Sequence, residues 1–347
     1  MKKKLSGDGA PVGKYRSFLN LSVSLPDEPT PAQRQPRLLE ISTAKECWST
    51  LQTLLRPLNN EIEEIQRDGL DVDGSHLSVV FFFGADYKFI LLSCGMKDAT
   101  SNHACIYCES KKCNYFRQGG KIRKGFKVGD PGVAHNPLLP AIPVDRIVID
   151  VLHLFLRTSD KLLMMICREV PEEKVAEFVG HVQQQITCRG KIVARDGKIE
   201  FQNCDSKDRV KILNYLVSSD VLVNIIGQKR GTLLRLVLVK YDKALEALRK
   251  SADDEEVRRE CLGLMKMYIS VFQSAMVTPY FHIMFFHCGD IVARVGCLNV
   301  FTQQHVEKLN HSVTSTFLTT TNFTNGVRQV LQNHGRRILY PLENVPL

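Results

Sequence analysis

Residues 77–92 constrain this chain more than any other stretch. Leu77–Phe83 is apolar, β-branched and aromatic, and it stops at Gly84-Ala85-Asp86. Such a run reads as a buried strand. A second apolar run, Phe89-Ile90-Leu91-Leu92, follows almost at once. Asp86 lies between them. A carboxylate amid that much apolar sequence needs a partner, which folding has to supply.

The segments ahead of this run read as further strands. Lys2–Ser6 is a short candidate strand ending in Gly7-Asp8-Gly9. In Phe18–Leu25, Leu21, Val23 and Leu25 alternate with Asn20, Ser22 and Ser24, the period of a half-buried strand. Leu38–Ile41 is a third. Thr43 is a candidate N-cap for a helix whose apolar face is Trp48, Leu51, Leu54, Leu55, Leu58, Ile62 and Ile65, and Pro57 predicts a kink or a split in it. Asp73-Gly74 marks a turn.

From about Asp145 to Val277 the pattern turns helical. One stripe runs through Val148, Val151, Leu152, Phe155, Leu156, Leu162 and Leu163, another starts at Val175, Phe178 and Val179, and a third spans Leu233 to Leu248. Val300 to about Phe317 reads as the final helix, carrying Glu307. The expectation is an α/β chain, a mixed sheet core interrupted by a large all-helical insertion domain. Its parts are 1–110, 111–277 (a basic loop and the insertion) and 278–347.

The net charge of +9 favours polyanionic partners such as nucleic acid without deciding the matter. Seven cations fall within 111–127, namely Lys111, Lys112, Arg117, Lys121, Arg123, Lys124 and Lys127, with no Asp or Glu among them. Tyr115, Phe116 and Phe126 are interspersed, and Gly119-Gly120 implies a flexible loop. This loop is either a DNA-phosphate contact surface or simply solvated. The 11 Cys are odd in number and scattered, unlike a secreted disulfide framework, so a reducing intracellular setting with thiols available for metal is expected. No secretory signal and no membrane-spanning apolar run is visible.

Two groups of residues carry chemistry. The first is Asp8, Asp86 and Glu307. Phosphodiester cleavage by two hard divalent ions wants carboxylate oxygens, and three suffice if one bridges both ions. Taken alone, Asp8 in Gly-Asp-Gly reads as a turn residue and Glu307 as a solvated helix face. Together, the order strand, strand, strand, helix, strand, with an acid ending the first and fourth strands, resembles the layout of an RNase H-like core. The second group is Cys105-x2-Cys108 with His282 and His287. Cys-x2-Cys is a common half of a tetrahedral zinc site. The two His lie five apart, roughly 140° around an ideal helix, so they meet only at a helix end; the alternative is a pair of hydrogen-bonded core histidines. Asp145, Asp150 and His153 form a rival metal set, although Asp150 lies in an apolar stripe where a capping or buried hydrogen-bonding role is more usual.

Cys105 follows Asp86 by 19 residues, and Glu307 follows His287 by 20. This string of Asp, Asp, Cys-x2-Cys, long helical block, His-x4-His and Glu resembles the signature of the Transib transposases and of the V(D)J recombinase catalytic subunit. Tyr280-Phe281-His282, Gly296-Cys297-Leu298, Asn310 and Ile149-Asp150-Val151-Leu152-His153 run in step with that family. The resemblance implies a DDE transposase or recombinase core, with Asp8, Asp86 and Glu307 binding two Mg²⁺ or Mn²⁺ and Asp8 bridging. It implies one structural Zn²⁺ on Cys105, Cys108, His282 and His287, closing a loop of about 170 residues. It further implies a nuclear homodimer acting on double-stranded DNA at transposon ends, with an accessory subunit. The family carries a DNA-recognition region ahead of its core, and the nearness of Asp8 to the chain start predicts that it is missing. A transposase-derived zinc-containing domain that binds DNA or protein without turnover is therefore the alternative expectation.

Overall fold

The structure is a computed structural model describing residues 1–12, 16–30, 34–117, 119–195, 197–273, 277–321 and 325–343. In chain order its elements are β1 (Lys2–Val12), β2 (Arg16–Ser24), β3 (Arg37–Ser42), α1 (Trp48–Asp68), β4 (Leu70–Val72), β5 (Ser75–Leu77), β6 (Val80–Phe83), α2 (Tyr87–Ser93), α3 (Val151–Cys167), α4 (Val175–Gln185), β7 (Lys191–Arg195), β8 (Lys198–Gln202), α5 (Ser206–Ser218), α6 (Val221–Ile226), α7 (Gln228–Lys250), α8 (Asp254–Phe272), α9 (Pro279–Phe286), α10 (Cys288–Val295), α11 (Gln304–Thr320) and α12 (Gly326–Glu343). The chain is mixed α/β. It forms two compact units, one of Met1–Glu109, Gly120–Leu152 and Val300–Leu347, the other of Ser110–Gly119 and His153–Asn299.

The first unit is built on a four-stranded sheet in the order β3-β2-β1-β6. β1–β2 and β2–β3 pair antiparallel, and β1–β6 pair parallel with Leu5 opposite Phe83. Successive residues of β1 point to opposite faces. Leu5 and Gly7 share one face, and a Cβ on Gly7 would lie 2.1 Å from the Phe89 ring of α2. Only glycine admits that ring, so the Gly-Asp-Gly expected to end the first strand instead continues it, and β1 runs on to Val12.

Lys4, Ser6 and Asp8 share the other face, and each meets the segment that ends in α11. Lys4 Nζ donates to Phe301 O at 2.5 Å, Gln303 Nε2 donates to Ser6 Oγ at 3.4 Å, and Asn310 Nδ2 donates to Asp8 Oδ2 at 2.5 Å. Further along α11, Val313 and Phe317 pack with Phe18, Ile41 and Val330, and the Phe18 and Phe317 rings meet edge-on at 4.8 Å. The buried positions Gln303, Val306, Asn310, Val313 and Phe317 recur every three or four residues, which makes one stripe on a helix.

Several expected boundaries shift. Thr43 does not cap α1, which starts at Trp48 behind Cys47. Pro57 neither splits nor ends α1, because it lies on the exposed face, where water can solvate the carbonyl it leaves unbonded. Asp73 and Gly74, with φ of 49° and 74°, form the turn of a small β4–β5 hairpin. The fourth long strand is shorter than the apolar run that announced it, covering Val80–Phe83 alone. α11 is not the last helix, since α12 follows.

The second unit is mainly helical, with α7 and α8 packed together. Thr158 of α3 and Tyr241 of α7 share a buried hydrogen bond of 2.7 Å, and Tyr268 of α8 packs its ring 4.6 Å from Phe281 of α9. The block expected to be all-helical also contains the β7–β8 hairpin. Asp208, buried at the start of α5, accepts from Arg189 N and Gly190 N just ahead of β7.

Phe317→Ala should lower the unfolding free energy by about 3–5 kcal/mol, because it removes a fully buried ring from the α11–sheet contact. Urea denaturation reads this directly. A loss under about 1 kcal/mol, typical of a surface change, would show that α11 is not docked through this ring.

Candidate functional site

Asp8 and Asp86 follow from two strands that pair in parallel. Leu5 of β1 pairs with Phe83 of β6, Asp8 lies three residues beyond Leu5, and Asp86 lies three beyond Phe83. Asp8 stays within β1, whereas Asp86 lies beyond the end of β6. Asp86 finds its partner as the N-cap of α2, where Oδ1 accepts from Phe89 N at 2.7 Å. Asn310 Oδ1 also accepts from Asn20 Nδ2 at 2.7 Å, and Asn20 is the cross-strand partner of Asp8. One amide thus bonds both strands beside Asp8. Glu307 lies three residues before Asn310 on the same helix, in its exposed first turn.

A fourth carboxylate stands here that sequence reading missed. Glu46, between β3 and α1, accepts from Lys88 Nζ through Oε2 at 2.6 Å. Its other oxygen, Oε1, is buried without a hydrogen-bond partner. A Cβ on Gly9 would lie 2.9 Å from Oε2, so Glu46 packs on the Gly7 face of β1, opposite to the face of Asp8. Burial raises the Glu46 carboxyl above its ordinary range, Lys88 opposes this, and Asp86 adds to the rise. In the sequence, Glu46 stands in a polar connection between Lys45 and Cys47 with no patterned neighbour to single it out.

Among the described residues, the His, Cys, Asp and Glu side chains gathered tightly enough to hold one metal ion are Cys105, Cys108, His282 and His287. All four are buried, and their ligand atoms lie within 4.8 Å of one another. Asp8, Asp86 and Glu307 are not drawn into such a group.

The two thiols sit on a short knuckle. Residues 107–109 pair with 121–123 through Arg123 N to Tyr107 O and Glu109 N to Lys121 O, both 2.9 Å. Burial pushes the Cys105 thiol well up, and the neighbouring Cys108 adds to the rise. A bound cation would reverse that by favouring thiolate.

The two imidazoles meet at a helix end, as their spacing requires. His282 is within α9, and His287 is the junction residue between α9 and α10. Thr278 caps α9 by accepting from Phe281 N at 3.3 Å. His282 Nδ1 is 2.9 Å from Tyr115 O, so Nδ1 carries the proton and Nε2 presents its lone pair. The Tyr115 ring stacks on His282 with centroids 4.7 Å apart. His282 Nε2 and His287 Nε2 are 3.3 Å apart. Two nitrogens about 2.0–2.1 Å from a tetrahedral ion stand about 3.3 Å from each other, so this spacing fits one metal.

The basic loop divides in role. Arg123, expected among the DNA contacts, is buried and donates from Nε to Cys105 O at 3.0 Å and from Nη2 to Pro131 O at 2.6 Å. It braces the cysteine knuckle. Tyr115 is likewise fully buried. Lys111, Lys112, Arg117, Lys121, Lys124 and Lys127 are exposed. Of the rival metal set, Asp150 takes the buried hydrogen-bonding role, accepting from Gln303 N at 2.7 Å.

No family model matches the chain, and no curated protein matches it.

A carboxyl whose native pKa exceeds its unfolded value of about 4.3 holds its proton more tightly when folded. Its contribution to stability is therefore present below that value and is lost as pH rises through the native one. Glu46→Gln should accordingly lose less stability than the parent as pH rises from about 4.5 to 7, measured as urea midpoints. Parallel profiles would mean that Glu46 is not held above its ordinary range.

Proposed function

We propose that the chain is the catalytic core of a DDE-type DNA transposase or recombinase, related to the Transib transposases and the V(D)J recombinase catalytic subunit. The observations that support this reading are the parallel pairing of β1, which carries Asp8, with β6, which leads to Asp86, and the hydrogen bond from Asn310 of the Glu307 helix to Asp8. That arrangement suits an RNase H-like core. The donors there are all carboxylate oxygens. Such a set fits hard divalent ions.

Magnesium bound there would supply transition-state charge stabilisation and activation of the attacking oxygen. Asp8, Asp86 and Glu307 would hold it. Asn310 fixes one oxygen of Asp8, and the α2 amide fixes one oxygen of Asp86. Each acid thereby keeps its second oxygen in a set orientation. Water would open the first phosphodiester to a 3′-OH and a 5′-phosphate, and that 3′-OH would attack the phosphorus of the second and displace its 3′-oxygen, which leaves protonated as a new 3′-OH. The nucleophile comes from solvent or DNA, so no covalent enzyme intermediate is needed. We assign the Cys105, Cys108, His282, His287 cluster to structural zinc, and the exposed Lys and Arg of 111–127 to DNA phosphates. Double-stranded DNA, a homodimer and a nuclear setting belong to the same proposal.

A second reading, a zinc-containing DNA-binding or protein-interaction domain without turnover, is favoured by one observation. The Cys/His group is compact enough for an ion, and the three acids are not.

Mg²⁺-dependent nicking of duplex DNA by the purified chain separates the two readings. Asp86→Asn should lower the nicking rate at least about a hundredfold, the scale of a lost transition-state group. Equal nicking by both proteins removes the enzymatic reading, and DNA binding without nicking favours the second. Elemental analysis should find one zinc per chain, lost in Cys105→Ser. Intact zinc in that variant would count against the assignment. Replacing Lys121, Lys124 and Lys127 with Ala should reduce the slope of log affinity against log salt by about 0.9 for each phosphate no longer neutralised. An unchanged slope would place DNA elsewhere.

A further inference from the structure

Lys4 is 2% exposed, which is unusual for lysine. Its Nζ donates to Phe301 O at 2.5 Å and to Thr302 O at 3.3 Å. These are the last carbonyls before α11. Asp150, 1% exposed, accepts from Gln303 N at 2.7 Å, and Gln303 is the N-cap of α11. Gln303 Nε2 in turn donates to Gly84 O and, at 3.4 Å, to Ser6 Oγ. Burial draws the Lys4 ammonium down to about 8, and the Asp150 carboxylate opposes that fall.

Three consecutive residues, Phe301, Thr302 and Gln303, are thus fixed by two opposite charges and a buried amide. A helix that needed only to be stable could be capped by an exposed Ser or Asp, whereas two buried ionisable groups cost several kcal/mol before their partners offset it. Packing by Val313 and Phe317 holds the far part of α11. Its first turn, which carries Glu307, is held by Val306 and by the polar network at Phe301–Gln303.

We propose that Lys4 and Asp150 are positioning residues, which set the start of α11 and thereby hold Glu307 where it can share a divalent cation with Asp8 and Asp86. This rests on the two-metal reading above. Neither residue touches the ion or DNA in this scheme. Lys4 acts through the Phe301 and Thr302 carbonyls, and Asp150 acts through the Gln303 amide.

The test is Mn²⁺ binding to the full chain, read by the electron spin resonance signal of the free ion, together with amide hydrogen exchange over residues 304–310. Glu307→Gln serves as reference, and Lys3→Met as control for losing a β1 lysine. Lys4→Met should weaken the Glu307-dependent Mn²⁺ site by about tenfold or more and speed exchange in the first turn of α11, with Lys3→Met matching the parent. Asp150→Asn keeps an acceptor for Gln303 N but leaves Lys4 without its counter-charge. It should weaken the same site several-fold, and it decides the matter if Lys4→Met does not fold. A merely structural role predicts lower melting temperatures with unchanged Mn²⁺ affinity in the folded protein, and that result overturns the proposal. If Mn²⁺ binding drops in Glu307→Gln but not in the Lys4 and Asp150 variants, only the positioning claim fails. If Glu307→Gln binds Mn²⁺ like the parent, the two-metal reading and this inference fail together.

Discussion

The polar row on one face of β1 is the constraint from which the candidate acidic site follows. Lys4, Ser6 and Asp8 point the same way because strand side chains alternate, and each bonds part of the 301–310 segment. Hydrogen bonds at three consecutive same-face positions fix both the direction and the height of α11 on the strand. A slip of one residue would turn Leu5 and Gly7 toward α11 and bury Lys4 against the Phe89 side. Register and helix placement are therefore one decision. The parallel pairing of β1 with β6 sets Leu5 opposite Phe83, and the chain reaches Asp86 three residues beyond that pair.

The same strand shows why a glycine pair brackets an acid there. Gly7 yields room for Phe89, and Gly9 yields room for Glu46. The Gly-Asp-Gly text reads as a turn from sequence because glycine and aspartate favour turns. The glycines are instead placed by close approach on one face of the strand, which only the assembled sheet reveals. In the strand, the Asp8 carboxylate is held by an amide rather than hydrated at a loop tip.

Much of the architecture was legible because it rests on local period. The alternation in Phe18–Leu25, the Leu38–Ile41 run, the heptad-like face of α1 and the helical stripes of α3, α4 and α7 all carry their own signal. Features that depend on distant partners were not legible. Lys4 carried no role in the Lys2–Ser6 candidate strand, because nothing nearby announces that residues 297 and 298 positions away will supply carbonyls. Glu46 lacked a pattern for the same reason. The β7–β8 hairpin did have a signal, the Asp-Gly pair at 196–197 between alternating Ile192, Ile199 and Phe201, but the surrounding helical stripes overshadowed it. Arg123 was grouped with its neighbours by charge, although its guanidinium is the one in that run turned inward.

On the proposed reading the chain keeps two metal chemistries apart through ligand type alone. Two thiols and two imidazoles, all buried, suit a borderline-soft ion that gives up its water readily, and Mg²⁺, which dehydrates reluctantly, gains little there. The carboxylates Asp8, Asp86 and Glu307 offer only oxygen, and all three keep contact with solvent. A hard ion can retain waters at such a site and exchange them for phosphate oxygens. Divalent affinities follow a fixed order that favours zinc over magnesium at almost any site. The Cys/His cluster therefore has to be the far stronger zinc site of the two. Its preformed 3.3 Å imidazole pair and its inward-turned Arg123 brace supply the rigidity that such a preference requires.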